Sequence, residues 1–174
     1  MSEPTPNKET SMTIETHETT ACDVLIIGSG GAGLRASIAA AEKGSDVLMI
    51  SKARIGHASN TYMSKAIIAS SGWGTAEDNG DVHGADTING GCRLNNPAMV
   101  ARLTENIRAE TGLLREWGVE FISNEDQTPA VFKIPGHSHA RHVVGKNWQG
   151  SDLVLPLKKK AREAGVRFKD RLFV

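Results

Sequence analysis

The residues best suited to chemistry are six in a row, Gly28-Ser29-Gly30-Gly31-Ala32-Gly33, which fit the pattern G-x-G-x-x-G. Glycines at this spacing serve a negatively charged ligand. The first makes a tight turn, the second lets the backbone approach a pyrophosphate, and the third lets a helix pack closely on a strand. The amides that open the following helix add about half a positive charge. A ligand-free, glycine-rich turn is the alternative reading. The flanks argue against it, because a β-branched apolar run leads into the motif and an Ala-rich run leads out. A generic dinucleotide site then places Asp or Glu on the ribose hydroxyls at the end of the next strand. Ser51 and Lys52 stand there instead, and a Ser hydroxyl can still bond a ribose.

His137, His139, Arg141 and His142 make a second chemically rich run. His137 and His139 have no carboxylate or cysteine partner at a recognised ligand spacing, so no metal site is expected. Imidazoles titrate near neutrality and are chemically capable of shuttling protons. A structural or cofactor-adjacent role is expected for them, and helix-start or loop hydrogen bonding for His83 and Asp86. Trp73, Trp117 and Trp148 read as packing. Cys22 and Cys92, far apart and without a C-x-x-C spacing, read as buried reduced thiols.

These groups need elements to hold them. Ala21 to Ile27 reads as a strand buried on both faces, Gly33 to Gly44 as a helix closed by its glycine, and Asp46 to Ile50 as a second strand. Strand, glycine turn, helix and strand make a βαβ unit with parallel strands. Residues 51–80 are small, polar and glycine-bearing, as suits a segment that wraps a ligand. Asn96 as N-cap and Pro97 in the first turn open a helix with apolar Val100, Leu103, Ile107, Leu113, Leu114 and Trp117, ended by Gly118. A short strand over 119–122, an irregular stretch over 129–150, a helix over 151–164 and a final strand after Gly165 complete the reading.

Composition bounds the rest. The 174 residues are 39% apolar and 23% charged, enough for one core. Twenty basic residues balance twenty acidic ones, so nothing in the charge points to nucleic acid. Residues 1–20 are rich in Thr, Glu, Ser and Pro, lack the pattern of a secretory signal, and read as a flexible arm ahead of a domain over 21–174. No apolar run approaches the length of about 18 residues that a spanning helix needs.

DVLIIGSGGAGLRASIAAAEKGSDVLMISKARIGHASNTYMSKAI, spanning residues 23–67, resembles the FAD fingerprint of the succinate dehydrogenase/fumarate reductase/L-aspartate oxidase flavoproteins. The likeness continues through the "H..DT" stretch at His83 to Thr87, the long helix leading to Gly118-Val119, and the His/Ser/Arg segment at 136–142. It implies an α/β, Rossmann-type FAD-binding domain with a parallel sheet, incomplete because the capping domain and C-terminal part lie downstream. It further implies that Gly28, Ser29, Gly30, Gly31, Ala32 and Gly33 face the FAD pyrophosphate. Ser51 and Lys52 would lie near the adenosine ribose, and Ser59, Asn60 and Thr61 would approach the flavin side. Membrane-bound members carry FAD covalently on a His where Asn60 stands, so noncovalent FAD is implied. The family's Gly-Gly pair is replaced by Ala66-Ile67, whose side chains are expected to crowd the cofactor. The activity implied is hydride transfer between flavin and a dicarboxylate, with catalytic residues outside this chain. The alternatives are an L-aspartate oxidase, an adenylylsulfate reductase-like or ketosteroid dehydrogenase-like flavoprotein, or a noncatalytic FAD-binding module. A cytoplasmic location, peripheral to the inner membrane face, and an iron–sulfur partner subunit go with the resemblance.

Overall fold

The computed structural model describes residues 19–174, so the expected N-terminal arm lies outside the described residues except for its last two positions. Apolar, β-branched runs form β1 (Val24–Ile27) and β2 (Val47–Ser51), joined by α1 (Gly31–Ala41). A third strand, β5 (Arg167–Asp170), comes from the far end of the chain, and the parallel sheet has the order β1-β2-β5. Val24 pairs with Val47, and Met49 with Phe168, so all three strands point their carboxyl ends the same way. In open parallel sheets that end is where ligands bind.

β2 lies between two neighbours and is buried along its whole length. The expectation of full burial fails for β1. As an edge strand it alternates, with Val24 and Ile26 against the core and Leu25 and Ile27 50% and 65% exposed. α1 packs against α5 (Ser151–Glu163), and their apolar faces meet the sheet at Leu34, Ile38, Met49, Val154, Leu157 and Ala161. Burying side chains of this size is worth about 1.5–3 kcal/mol each. Gly44, in a left-handed conformation (φ 87°), ends the α1 connection as expected.

Residues 51–80 contain a single turn of helix, α2 (Asn60–Met63), and a strand, β3 (Ile67–Ala69), which pairs antiparallel with β4 (His142–Val144). Part of the stretch expected to be irregular is therefore sheet. The strand expected over 119–122 is reduced to a bridge between Phe121 and Gly145. Ala66, Val119, Phe121, Val143 and Leu153 form a second apolar cluster beneath this ladder.

A helix that patterning does not suggest, α3 (Gly80–Gly90), precedes α4 (Pro97–Glu116) and packs on it. Asn79 starts α3 by accepting from the Asp81 and Val82 amides at 3.0 and 3.1 Å. Asn96 starts α4 in the same way, with Pro97 in its first turn, as expected. Val100 lies on the buried stripe of α4, but Thr104 and Thr111 share that stripe while Leu103 is exposed. Thr111 is tolerated there because its hydroxyl donates to the Ile107 carbonyl at 2.7 Å and is paired with the Ser70 hydroxyl at 2.9 Å. Arg35 joins α1 to α4 through two bonds to Glu110, at 2.7 and 2.9 Å, while its guanidinium lies over the Trp117 ring.

The cysteines are free, as expected, but not buried: Cys22 is half-buried and Cys92 exposed. Cys22 lies just before β1 and Cys92 in the turn after α3, both outside the two apolar clusters. Among the described residues no helix is long and apolar enough to cross a membrane.

Candidate functional site

The end of β1 turns on Gly28, whose φ of 100° only glycine adopts without strain, and its amide donates to the Ile50 carbonyl at 2.9 Å. Gly30 is the N-cap of α1, with extended backbone and no side-chain cap. Gly33 has a different task. A Cβ there would run into the Gly28 carbonyl, so glycine is required for the turn and the helix to close on each other. At Gly30 a Cβ would meet protein only at ordinary contact distance, 3.5 Å from Ser59 Cβ and Thr61 Oγ1. Steric need within the fold therefore accounts for Gly33 and leaves Gly30 unexplained.

Ser29 joins the loop to its surroundings. Its buried hydroxyl donates to Ser51 Oγ at 3.2 Å and accepts from the Gly56 amide at 3.0 Å. Thr61 Oγ1 accepts from the Gly31 amide at 3.0 Å, which holds α2 beside the start of α1. Ser59 caps α2 by accepting from the Tyr62 amide. A cleft of about 260 Å³ opens among these groups, lined by Gly28, Ser29, Gly30, Ser51, Lys52 and Ser59, with Leu172, Phe173 and Val174 on its far wall. Gly31, Ala32, Gly33, Asn60 and Thr61 stand behind or beside this lining rather than in it. Sequence reasoning missed His57, which lines the same cleft; no pattern in the sequence marks it.

A model of the FAD binding domain family matches residues 23–174. The chain belongs to that family. FAD is therefore its cofactor, and the residues present suit one: an uncapped helix start, a glycine at position 30 whose missing side chain the fold does not need, and hydroxyls at the end of β2. The chain is 31% identical over 163 residues to a component of the fumarate reductase (CoM/CoB) of Methanothermobacter marburgensis, covering 88% of this chain and 28% of that protein. It is 35% identical over 147 residues to the L-aspartate oxidase of Pyrococcus abyssi, covering 84% and 29%. Among solved structures, the Mycobacterium smegmatis Sdh1 complex with UQ1 superposes with a TM-score of 0.79 at 28% identity, covering 86% of this chain and 27% of that one. The chain thus spans less than a third of the length of each of these three.

Ala66 and Ile67 do not line the cleft around the glycine loop. Ala66 is fully buried in the second apolar cluster at φ 52°, a conformation that favours glycine. Its methyl group faces protein, so the crowding expected from it falls within the fold.

The histidine run does not line this cleft and gathers around a buried arginine. Arg141 is fully buried, with Nη2 2.8 Å from Asp78 and 3.0 Å from Asp86. Asp86 also accepts from the Ser138 amide and hydroxyl at 2.8 and 2.7 Å. The rings of His83, His137 and His142 gather around this group, with His137 edge-on to His142 at 4.5 Å and 5.8 Å from His83. Burial, followed by the Arg141 cation, pushes His83 down to about 4, and burial also lowers His142. Asp86 is drawn up by burial, but the Ser138 bonds and Arg141 outweigh that and hold it below its ordinary value. Among the described residues no group of His, Cys, Asp or Glu is placed to hold a metal ion.

Proposed function

We propose that residues 21–174 form the FAD-cradling, N-terminal part of a flavin-dependent oxidoreductase acting on a dicarboxylate. The observation that carries the placement of the cofactor is Gly30, a glycine at an uncapped helix start that the fold itself does not require. FAD would supply the hydride acceptor or donor. Gly28 to Gly33 would hold its pyrophosphate, with Gly30 giving room for close approach and the first amides of α1 giving charge-assisted hydrogen bonds. Ser51 and Lys52 would meet the adenosine ribose, and Ser59, Asn60 and Thr61 would lead toward the flavin. Substrates of the succinate, fumarate or L-aspartate type fit the similarity to a fumarate reductase and an L-aspartate oxidase. The similarity to components of larger complexes supports an iron–sulfur partner.

Two expected outcomes test this reading. An amide cannot form the link that a histidine forms, so Asn60 predicts noncovalent FAD. Acid precipitation of the flavin-loaded protein should leave all flavin in the supernatant; flavin retained on the pelleted chain would contradict the role given to residue 60.

The second concerns turnover. Catalysis on a dicarboxylate requires preorganised cationic groups around it, a contribution of several kcal/mol to the barrier, and no such group is assigned within residues 21–174. The 174-residue polypeptide, given FAD and an artificial electron carrier, should neither oxidise succinate nor reduce fumarate. Measurable turnover by the monodisperse polypeptide would move the active site into residues 21–174.

A further inference from the structure

We infer that His57 is a second cationic contact for the cofactor's pyrophosphate, so that cofactor affinity is linked to uptake of one proton. The inference rests on the placement of FAD in the cleft proposed above. The side chains that line this cleft include none that is acidic, and the two that can carry positive charge are Lys52 and His57. A pyrophosphate diester brings two negative charges, of which Lys52, placed beside the adjoining ribose in the same cleft, can offset one.

The position of His57 is fixed by the same bonds that fix the glycine loop. The amide of the preceding residue, Gly56, donates to Ser29 Oγ at 3.0 Å, and the His57 amide donates to the Arg54 carbonyl at 2.9 Å. Ala58, immediately after it, has a left-handed backbone (φ 51°), a conformation that costs on the order of 1 kcal/mol for alanine and turns the chain sharply at this point. The imidazole lies against the Tyr62 ring of α2, centroids 4.9 Å apart, which restricts its rotamer. The loop that would hold the phosphates and the residue that would meet them are therefore tied together by a buried hydrogen bond.

The charged and titratable groups around His57 are Lys52 and Arg54 on its own segment, Tyr62 on α2, Lys158, which reaches from α5 to the Ile55 carbonyl at 2.9 Å, and Asp170 at the end of β5, which pairs with Ser51 and acts on the charge of Lys158. Carboxylate, lysine, arginine and tyrosine side chains ordinarily keep their charge state between pH 5.5 and 8, whereas an imidazole changes its own. An anion in the cleft favours the imidazolium, so binding takes up a proton and affinity rises as pH falls.

ADP-ribose is a suitable probe, because its pyrophosphate diester keeps both charges over this range and it contains no flavin. Titrated calorimetrically into the protein, it should bind roughly three- to tenfold more tightly at pH 5.5 than at pH 8, as suits one charge-assisted phosphate contact. His57→Gln should bind at the weaker, pH 8 level throughout, and His57→Lys at the tighter level throughout. Circular dichroism of each variant establishes that it is folded. An unchanged pH dependence in folded His57→Gln would overturn the role of His57 while leaving the cleft as the cofactor site. No binding of ADP-ribose or FAD to the wild-type protein at either pH would overturn the cleft assignment and this inference together.

Discussion

Gly30→Ala should abolish stoichiometric FAD binding while leaving the protein folded, whereas Gly33→Ala should disrupt the fold itself. The two glycines lie three residues apart in one motif, and the structure separates their reasons. The backbone of Gly30 is extended (φ −76°, ψ −177°), a conformation open to any residue, and an added methyl would touch Ser59 and Thr61 at 3.5 Å. Nothing in the protein opposes alanine there, and the added volume would fall where the pyrophosphate is proposed to approach. Charge-assisted bonds are worth about 1.5–3 kcal/mol each, so displacing the phosphates from two amides costs about a hundredfold in affinity or more. Valine, with its branched side chain, should be more severe. At Gly33 a methyl group would collide with the Gly28 carbonyl, which is backbone and cannot rotate away. Overpacking of that kind costs about 1–3 kcal/mol or more and opens the contact between β1 and α1. Flavin absorbance and thermal melting, measured together on both variants, separate the cases. Full flavin content in Gly30→Ala would show that the loop does not face the cofactor.

The same contrast explains what was legible in the sequence. The βαβ unit is a local event: β1, the glycine turn, α1 and β2 follow one another directly, and apolar runs, glycines and an Ala-rich stretch each point to the element that forms. α4 was legible for the same reason, since Asn96, Pro97 and Gly118 mark its ends independently of tertiary context. α3 was not. Its sequence, Gly80 to Gly90, contains three glycines and no apolar stripe, and intrinsic propensity argues against it at about 1 kcal/mol per glycine. It is held by the Asn79 cap, by packing on α4, and by Arg141, which arrives from a distant part of the chain. The exposure of Leu25 and Ile27 was illegible because a strand's apolar content does not say whether it lies at the centre or the edge of a sheet. Residues of the candidate site divide in the same way. Gly28 to Gly33 are marked by their own spacing, while His57 enters the cleft through the bond from Gly56 to Ser29, which no local pattern announces.

Arg141→Met should cost about 3–5 kcal/mol of folding stability, a large share of what a domain of this size possesses. The guanidinium is fully buried between Asp78, itself 2% exposed, and Asp86, and its removal leaves two carboxylates around one vacated position. Both ion pairs hold by proximity rather than by aligned hydrogen bonds, so the stabilisation is chiefly coulombic. Asp78→Asn in the Arg141→Met background should recover part of the loss, because it removes one of the stranded charges. The surrounding imidazoles add a pH dependence of definite sign. Burial pushes His83 down to about 4, whereas an unfolded chain titrates its histidines near 6.5, so between these values the unfolded state binds more protons. Stability therefore falls as pH falls from 6.5 toward 4, by roughly 3 kcal/mol from His83 alone. Asp86, held below the ordinary carboxylate range, adds to the same trend as it begins to protonate. His83→Gln should flatten the urea-unfolding midpoint between pH 6.5 and 4.5 relative to wild type. An equal acid slope in both proteins, or a loss below about 1 kcal/mol in Arg141→Met, would remove this buried cluster from the set of contacts that hold α3 to the histidine segment.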